Sequence, residues 1–97
     1  MEKMIFAADA LAGQVALVTG ASRGIGAAVM EAFMKAGAYV VGTATSEAGA
    51  QKITECAAAL GGSGKGIVLN VCDAAASQKA VTDLVKEKGR IDILVNN

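Results

Sequence analysis

Three glycines, Gly20, Gly24 and Gly26, stand in the run Leu17-Val-Thr-Gly-Ala-Ser-Arg-Gly-Ile-Gly26, directly after the short apolar stretch Val15–Val18. An amphipathic segment begins at once behind them. Strand, glycine turn and helix in that order bring backbone N–H groups and the positive end of a helix dipole to one point, where a phosphate can sit. Gly20 permits the tight turn, Gly24 carries no side chain to obstruct a pyrophosphate, and Gly26 allows the helix to pack closely on the strand. The spacing is G-x-x-x-G-x-G, which departs from the commoner G-x-G-x-x-G, and no Gly-Lys-Ser/Thr follows as a P-loop requires. The plainer reading of the same residues is a tight strand-to-helix turn with no ligand.

Other chemistries find little support. Cys56 and Cys72 lie sixteen positions apart, in no metal-ligand or C-x-x-C spacing, and the chain has no histidine. This argues against zinc ligation and leaves no Ser-His-Asp set, and the two cysteines read as small core residues. Nine basic and nine acidic residues cancel without any basic run, which argues against a nucleic-acid partner. No stretch approaches the ~20 apolar residues that a membrane helix needs, and the N-terminus is too short in apolar residues for a signal-peptide core. A cytoplasmic protein is the expectation. Ninety-seven residues, 54% of them apolar, allow one small domain with a modest core.

The elements that must position the glycine turn follow from periodicity. Val15–Val18 reads as a strand. Ile25, Ala28, Val29, Ala32, Phe33 and Ala36 recur as one face of a helix that Gly37 stops. Tyr39-Val-Val-Gly42 restarts as a strand. Ser46 caps a second helix with an apolar face of Ile53, Cys56, Ala57 and Leu60, ended by Gly61-Gly62-Ser63-Gly64. Ile67-Val-Leu69 is a third strand. Asp73 caps a third helix, which turns Ala80, Val81, Leu84 and Val85 inward and stops at Gly89, and Ile91-Asp-Ile-Leu-Val95 is the fourth strand. Strands separated by helices are parallel, so the β-α-β-α-β-α-β pattern predicts a doubly wound, Rossmann-type α/β sheet over residues 13–97. Residues 1–12 form an N-terminal extension.

Thr19-Gly-Ala-Ser-Arg-Gly-Ile-Gly26 resembles the cofactor motif of the short-chain dehydrogenases/reductases. Asn96-Asn97 resembles the first half of that family's Asn-Asn-Ala-Gly segment, and Asn70-Val-Cys-Asp73 its adenine-contacting segment. Within the family, Leu17 to Gly26, Val41-Gly-Thr-Ala-Thr-Ser-Glu47, Leu69-Asn-Val71 and Asp92-Ile-Leu-Val-Asn-Asn97 look most like the members that reduce 3-oxoacyl groups carried on acyl carrier protein. The similarity runs from about Gly13 to the end. It implies that Gly20, Ala21, Ser22, Arg23, Gly24, Ile25 and Gly26 approach the cofactor phosphates and ribose. It further implies that Asn70 and Val71 flank the adenine and that Asn97 lies near the ribose on the nicotinamide side. Thr19 and Asn96 would brace the loop.

Charge selects the cofactor. An Asp or Glu after the second strand would bond the ribose hydroxyls of NAD and repel the 2′-phosphate of NADP. Here the strand runs into Gly42-Thr-Ala-Thr-Ser46, with no carboxylate before Glu47, while Arg23 supplies a cation from the glycine turn. The resemblance assigns the same role to Ser22, Arg23 and Thr45, so NADPH is the expected cofactor. It also implies an acyl carrier protein bearing the substrate as partner and a homotetrameric parent. A related reductase acting on acyl-CoA, a sugar or a polyol is the alternative.

Hydride transfer to a ketone needs an acid to protonate the developing alkoxide. The family uses a Ser, a Tyr and a Lys four residues after that Tyr. None has a counterpart here: Tyr39 is the single tyrosine, and Thr43 stands four positions on. The 97 residues are thus expected to be the cofactor half of a longer protein, with the catalytic residues beyond Asn97. Taken by themselves they would be a non-catalytic nucleotide-binding module.

Overall fold

The computed structural model describes residues 10–96. Residues 1–9 lie outside, with most of the extension expected over 1–12, and so does Asn97 with its expected ribose contact. The elements are β1 (Val15–Val18), α1 (Gly24–Lys35), β2 (Tyr39–Ala44), α2 (Glu47–Ala59), β3 (Gly64–Val68), α3 (Ala74–Lys88) and β4 (Ile93–Val95). All strand pairs are parallel, in the order β3-β2-β1-β4. The chain therefore walks outward from β1 to β3 and then crosses back to the other side of β1. That reversal makes the carboxyl ends of β1 and β4 a topological switch point, where open α/β sheets bind ligands.

Side-chain alternation divides the core into two layers. Ala16 and Val18 of β1 meet Val29, Met30, Phe33 and Met34 of α1 and Ile53 of α2 on one face of the sheet. Val15 and Leu17 meet Val41 and Leu84 of α3 on the other. β1 is buried on both faces, which is why it reads as an unbroken apolar run.

Capping matches expectation for two helices. The Ser46 side chain accepts the Gly49 N–H at 3.1 Å, and Asp73 accepts the Ala76 N–H at 3.0 Å. α3 ends on Gly89 in the left-handed region, φ +82. Several boundaries differ. β2 runs on past Gly42 to Ala44, and β4 begins at Ile93, not Ile91. β3 occupies Gly64–Val68 where Ile67–Leu69 was expected. Its glycines read as punctuation but are contact positions: a Cβ at Gly66 would collide with the Ala50 carbonyl oxygen of α2, and one at Gly64 with that of Val40.

Burial corrects other expectations. The buried face of α1 is Gly26, Val29, Met30, Phe33 and Met34, and Ile25 is 59% exposed. α3 buries Leu84 alone and leaves Val81 and Val85 exposed, because it covers its side of the sheet without a neighbouring helix among the described residues. Cys56 and Cys72 are both exposed. Tyr39 is half-buried at the amino end of β2, opposite the glycine turn. Its hydroxyl donates to Glu87 at 3.1 Å, Lys65 pairs with the same carboxylate at 3.0 Å, and Lys88 lies 3.9 Å from the ring centroid. Tyr39 thus fastens α3 to the sheet, and burial, followed by Glu87, raises its pKa.

Asp92 explains the late start of β4. Its side chain accepts the Val15 N–H at 2.9 Å, its own N–H donates to the Val15 carbonyl at 2.8 Å, and Arg90 grips both carboxylate oxygens. Arg90 first, and the Val15 amide second, hold its pKa below the ordinary value. A depressed folded pKa contributes stability that is present above the unfolded value of about 3.9 and is lost as pH falls through the lower folded one. Asp92→Asn is therefore expected to melt below the parent chain at neutral pH, with the gap closing in melts taken below pH ~4. A gap that persists in acid would assign the loss to geometry instead of charge.

Candidate nucleotide-binding site

The glycine turn is fixed from both sides. Gly20 and Gly24 have φ of +62 and +65, a region open to glycine at no steric cost. Thr43 of β2, 1% exposed, accepts the Gly20 N–H on its hydroxyl at 3.2 Å and the Ala21 N–H on its carbonyl at 2.9 Å. On the other flank the Thr19 N–H donates to Val95 at 3.0 Å, and the Thr19 hydroxyl reaches Val95 O and Asn96 Oδ1, each at 3.4 Å. Thr19 and Asn96 therefore make the brace expected of them. Thr43 was legible only as a hydroxyl inside an apolar strand, a buried polar group that must find a partner.

These bonds also decide which amides face a ligand. Those of Gly20 and Ala21 are committed to Thr43, so their expected place at the phosphates cannot run through their own N–H groups. The open donors lie further along. Arg23 precedes α1 in extended conformation, φ −164 and ψ 170, and makes no side-chain cap. The first-turn amides of Gly24, Ile25 and Gly26 have no intrahelical acceptor, and the turn holds no acidic residue. α1 thus presents an uncapped positive end at the switch point, whereas α2 and α3 are capped by their own side chains.

Beside it lies an open cleft of about 350 Å³ lined by Ser22, Arg23, Ala44, Thr45, Ser46, Ala48, Gly49 and Lys52. It brings Ser22, Arg23 and Thr45 together, as the sequence suggests, and adds Ser46 and Lys52. Three hydroxyls and two cations line it, with no carboxylate; Glu47 turns instead to a separate cleft between α2 and β3. Lys52 escaped the sequence reading. Its signal was the helical spacing of Ala48, Gly49 and Lys52, which puts the three on one face.

Asn70 and Val71 follow β3 at the same carboxyl edge, outside the lining of that cleft. Asn70 Oδ1 accepts the Cys72 N–H at 3.0 Å, shaping a turn that leaves Val71 51% exposed. Ile25 and Val68, the last residue of β3, are also exposed apolar side chains at this end. Among the described residues no group of three or more His, Cys, Asp or Glu is placed to hold a metal, and no helix is long and apolar enough to cross a membrane.

Thr43→Val tests the support of the turn. It removes the acceptor of the Gly20 amide, at a cost of about 1–3 kcal/mol in a melting curve. A nucleotide held at this turn should bind more weakly, with its contacts to the cleft residues left intact.

A parallel sheet in this order, with a G-x-x-x-G-x-G turn opening onto an uncapped helix, defines a Rossmann-type α/β domain. Residues 14–97 match the family model for short chain dehydrogenases, and the chain belongs to that family. It is 52% identical over 85 residues to the 3-oxoacyl-(acyl-carrier-protein) reductase FabG of Salmonella typhimurium, covering 88% of this chain and 34% of the relative. The enzyme of the same name from Escherichia coli is 53% identical over the same share of each chain. An uncharacterized oxidoreductase of Methylorubrum extorquens is 46% identical over 88 residues, 90% of this chain and 36% of the relative. The chain thus spans about a third of the length of these curated relatives.

Proposed function

We propose that residues 13–97 form the first part of a dinucleotide-binding domain that holds NADPH for a reductase of 3-oxoacyl groups on acyl carrier protein, preceded by an extension over residues 1–12. One observation carries the cofactor assignment. An uncapped helix end stands beside a cleft lined by Arg23, Lys52 and three hydroxyls without a carboxylate. A pyrophosphate suits the first, and a ribose 2′-phosphate suits the second. When bound, the nicotinamide supplies the hydride that turns the 3-oxo group into a 3-hydroxy group. This chain's own residues hold the adenosine end: Arg23, Ser22 and Thr45 at the 2′-phosphate, the first turn of α1 at the pyrophosphate, Asn70 and Val71 beside the adenine. Asn97 belongs to the nicotinamide side in the same reading.

The substrate assignment is supported by the names of the relatives that are 52–53% identical. The partner is then an acyl carrier protein and the parent a cytoplasmic homotetramer. The similarity to an oxidoreductase without a named substrate favours a second reading, a short-chain reductase of acyl-CoA, a sugar or a polyol. Turnover by the full-length protein decides between them, read as the change in NADPH absorbance. Acetoacetyl-acyl carrier protein should be reduced with NADPH in preference to NADH. Reduction of acetoacetyl-CoA or a sugar, or oxidation of a polyol with NADP+, with no turnover of acetoacetyl-acyl carrier protein, would establish the second reading.

A further inference from the structure

We infer that Lys52 is a second cation of the 2′-phosphate subsite, acting beside Arg23 to set the preference for a phosphorylated ribose; the inference rests on the NADPH reading above. Lys52 lies on the second turn of α2, exposed, and lines the cleft that holds Ser22, Arg23 and Thr45. It also lines a small, almost wholly apolar pocket of about 60 Å³ with Ala21, Ala27, Met30 and Ile53. A lysine that borders both can rest its methylene stem on the apolar wall and keep its ammonium in the polar cleft.

Among the described residues, neighbouring acids do not divert it. Lys35, Lys65 and Lys79 pair with Glu31, Glu87 and Asp83, and Lys88 stands over the Tyr39 ring. Lys52 takes none of these acceptors. Glu55, one turn on along α2, accepts from Gln51 at 3.2 Å instead. The charge of Lys52 is thus left to the cleft. A phosphate monoester carries up to two negative charges near neutral pH. The planar fork of Arg23 can bond two of its oxygens, and an ammonium acting as a point charge answers what remains.

Adenosine 2′,5′-bisphosphate and adenosine 5′-monophosphate isolate the subsite, since they differ only in the 2′-phosphate. In calorimetric titrations of the full chain, Lys52→Ala should weaken the bisphosphate about fivefold and leave the monophosphate unchanged. The salt dependence of bisphosphate binding should become shallower, because one screened attraction is gone. Lys52→Arg should retain parent affinity. An undiminished preference for the bisphosphate in Lys52→Ala, or an equal loss for both ligands, overturns the assignment while leaving the NADPH reading in place. If the parent chain itself binds the two ligands equally, the NADPH reading fails and takes this assignment with it.

Discussion

Gly66→Ala is expected to cost about 3 kcal/mol or more, which for a domain of this size lowers the melting temperature by roughly 12 °C or more. The new Cβ would collide with the Ala50 carbonyl oxygen and stand 2.7 Å from the Ile53 Cβ. Neither is the free end of a flexible side chain. One is helix backbone, and the other is anchored in a residue that is 2% exposed. Relief requires α2 to lift from β3, and that movement breaks a second contact. The Thr54 hydroxyl accepts the Gly66 N–H at 2.9 Å and donates to the Ala50 carbonyl at 3.1 Å, so it links strand and helix at this same point. Each such bond contributes about 1 kcal/mol. Gly61→Ala is the control. Its site is open, and its φ of +103 makes the substitution a matter of backbone strain, about 1–2 kcal/mol. Equal losses in the two melting curves would show that the clash does not decide the outcome.

Arg23→Ala is expected to weaken NADPH by about 10- to 100-fold and to leave NADH within about twofold, as read by titration of each dinucleotide. The estimate takes a bidentate, charge-assisted contact with a phosphate as the interaction lost. Structure makes this substitution unusually clean. Arg23 occupies the N-cap position of α1 but makes no capping bond with its side chain, and it has no ion pair among the described residues. Removing the guanidinium should therefore leave the melting temperature unchanged. Arg23→Lys should recover part of the NADPH affinity, since it restores charge without the planar fork. Equal losses for both dinucleotides would place Arg23 at the pyrophosphate they share.

Local chemistry made the glycine turn, two of the three helix N-caps and the four-strand alternation legible in the sequence. Ser46 and Asp73 bond groups three residues away, and Val15–Val18 is apolar because both its faces are covered. Where readings went astray, tertiary contact had overruled a local rule. Gly64 and Gly66 look like loop residues until α2 and β2 are seen to leave no room for a Cβ. Ile25 fits a helix periodicity yet stands exposed, because at the start of α1 the buried face has passed to Gly26. Helix periodicity turns Val81, Val85 and Cys56 inward, and residue type does the same for Cys72, yet all four are exposed. Among the residues lining the cleft, Arg23 was legible because it stands in the glycine turn, and Thr45 because it follows a recognisable strand. Thr43 and Lys52 could not, since their roles depend on what β2 and α2 lie against.

The double attachment of the glycine turn, to Thr43 on one side and Val95 on the other, bears on how a ligand arrives and leaves. Ordering a backbone residue costs about 1–2 kcal/mol, and for this turn that cost is already met in folding. On the function proposed above, an incoming dinucleotide would meet a finished floor, and its arrival should be limited by diffusion and orientation and not by the closing of a loop. Differences in affinity are then expressed in residence time. The floor and the rim are also separate inventions. Hydrogen bonds from the turn to β2 and β4 hold the first, and the side chains of Ser22 and Arg23, with those at the tips of β2 and α2, make the second. On the proposed function, evolution or an engineer could rewrite the rim one residue at a time, exchanging one dinucleotide for another, while the floor keeps its shape.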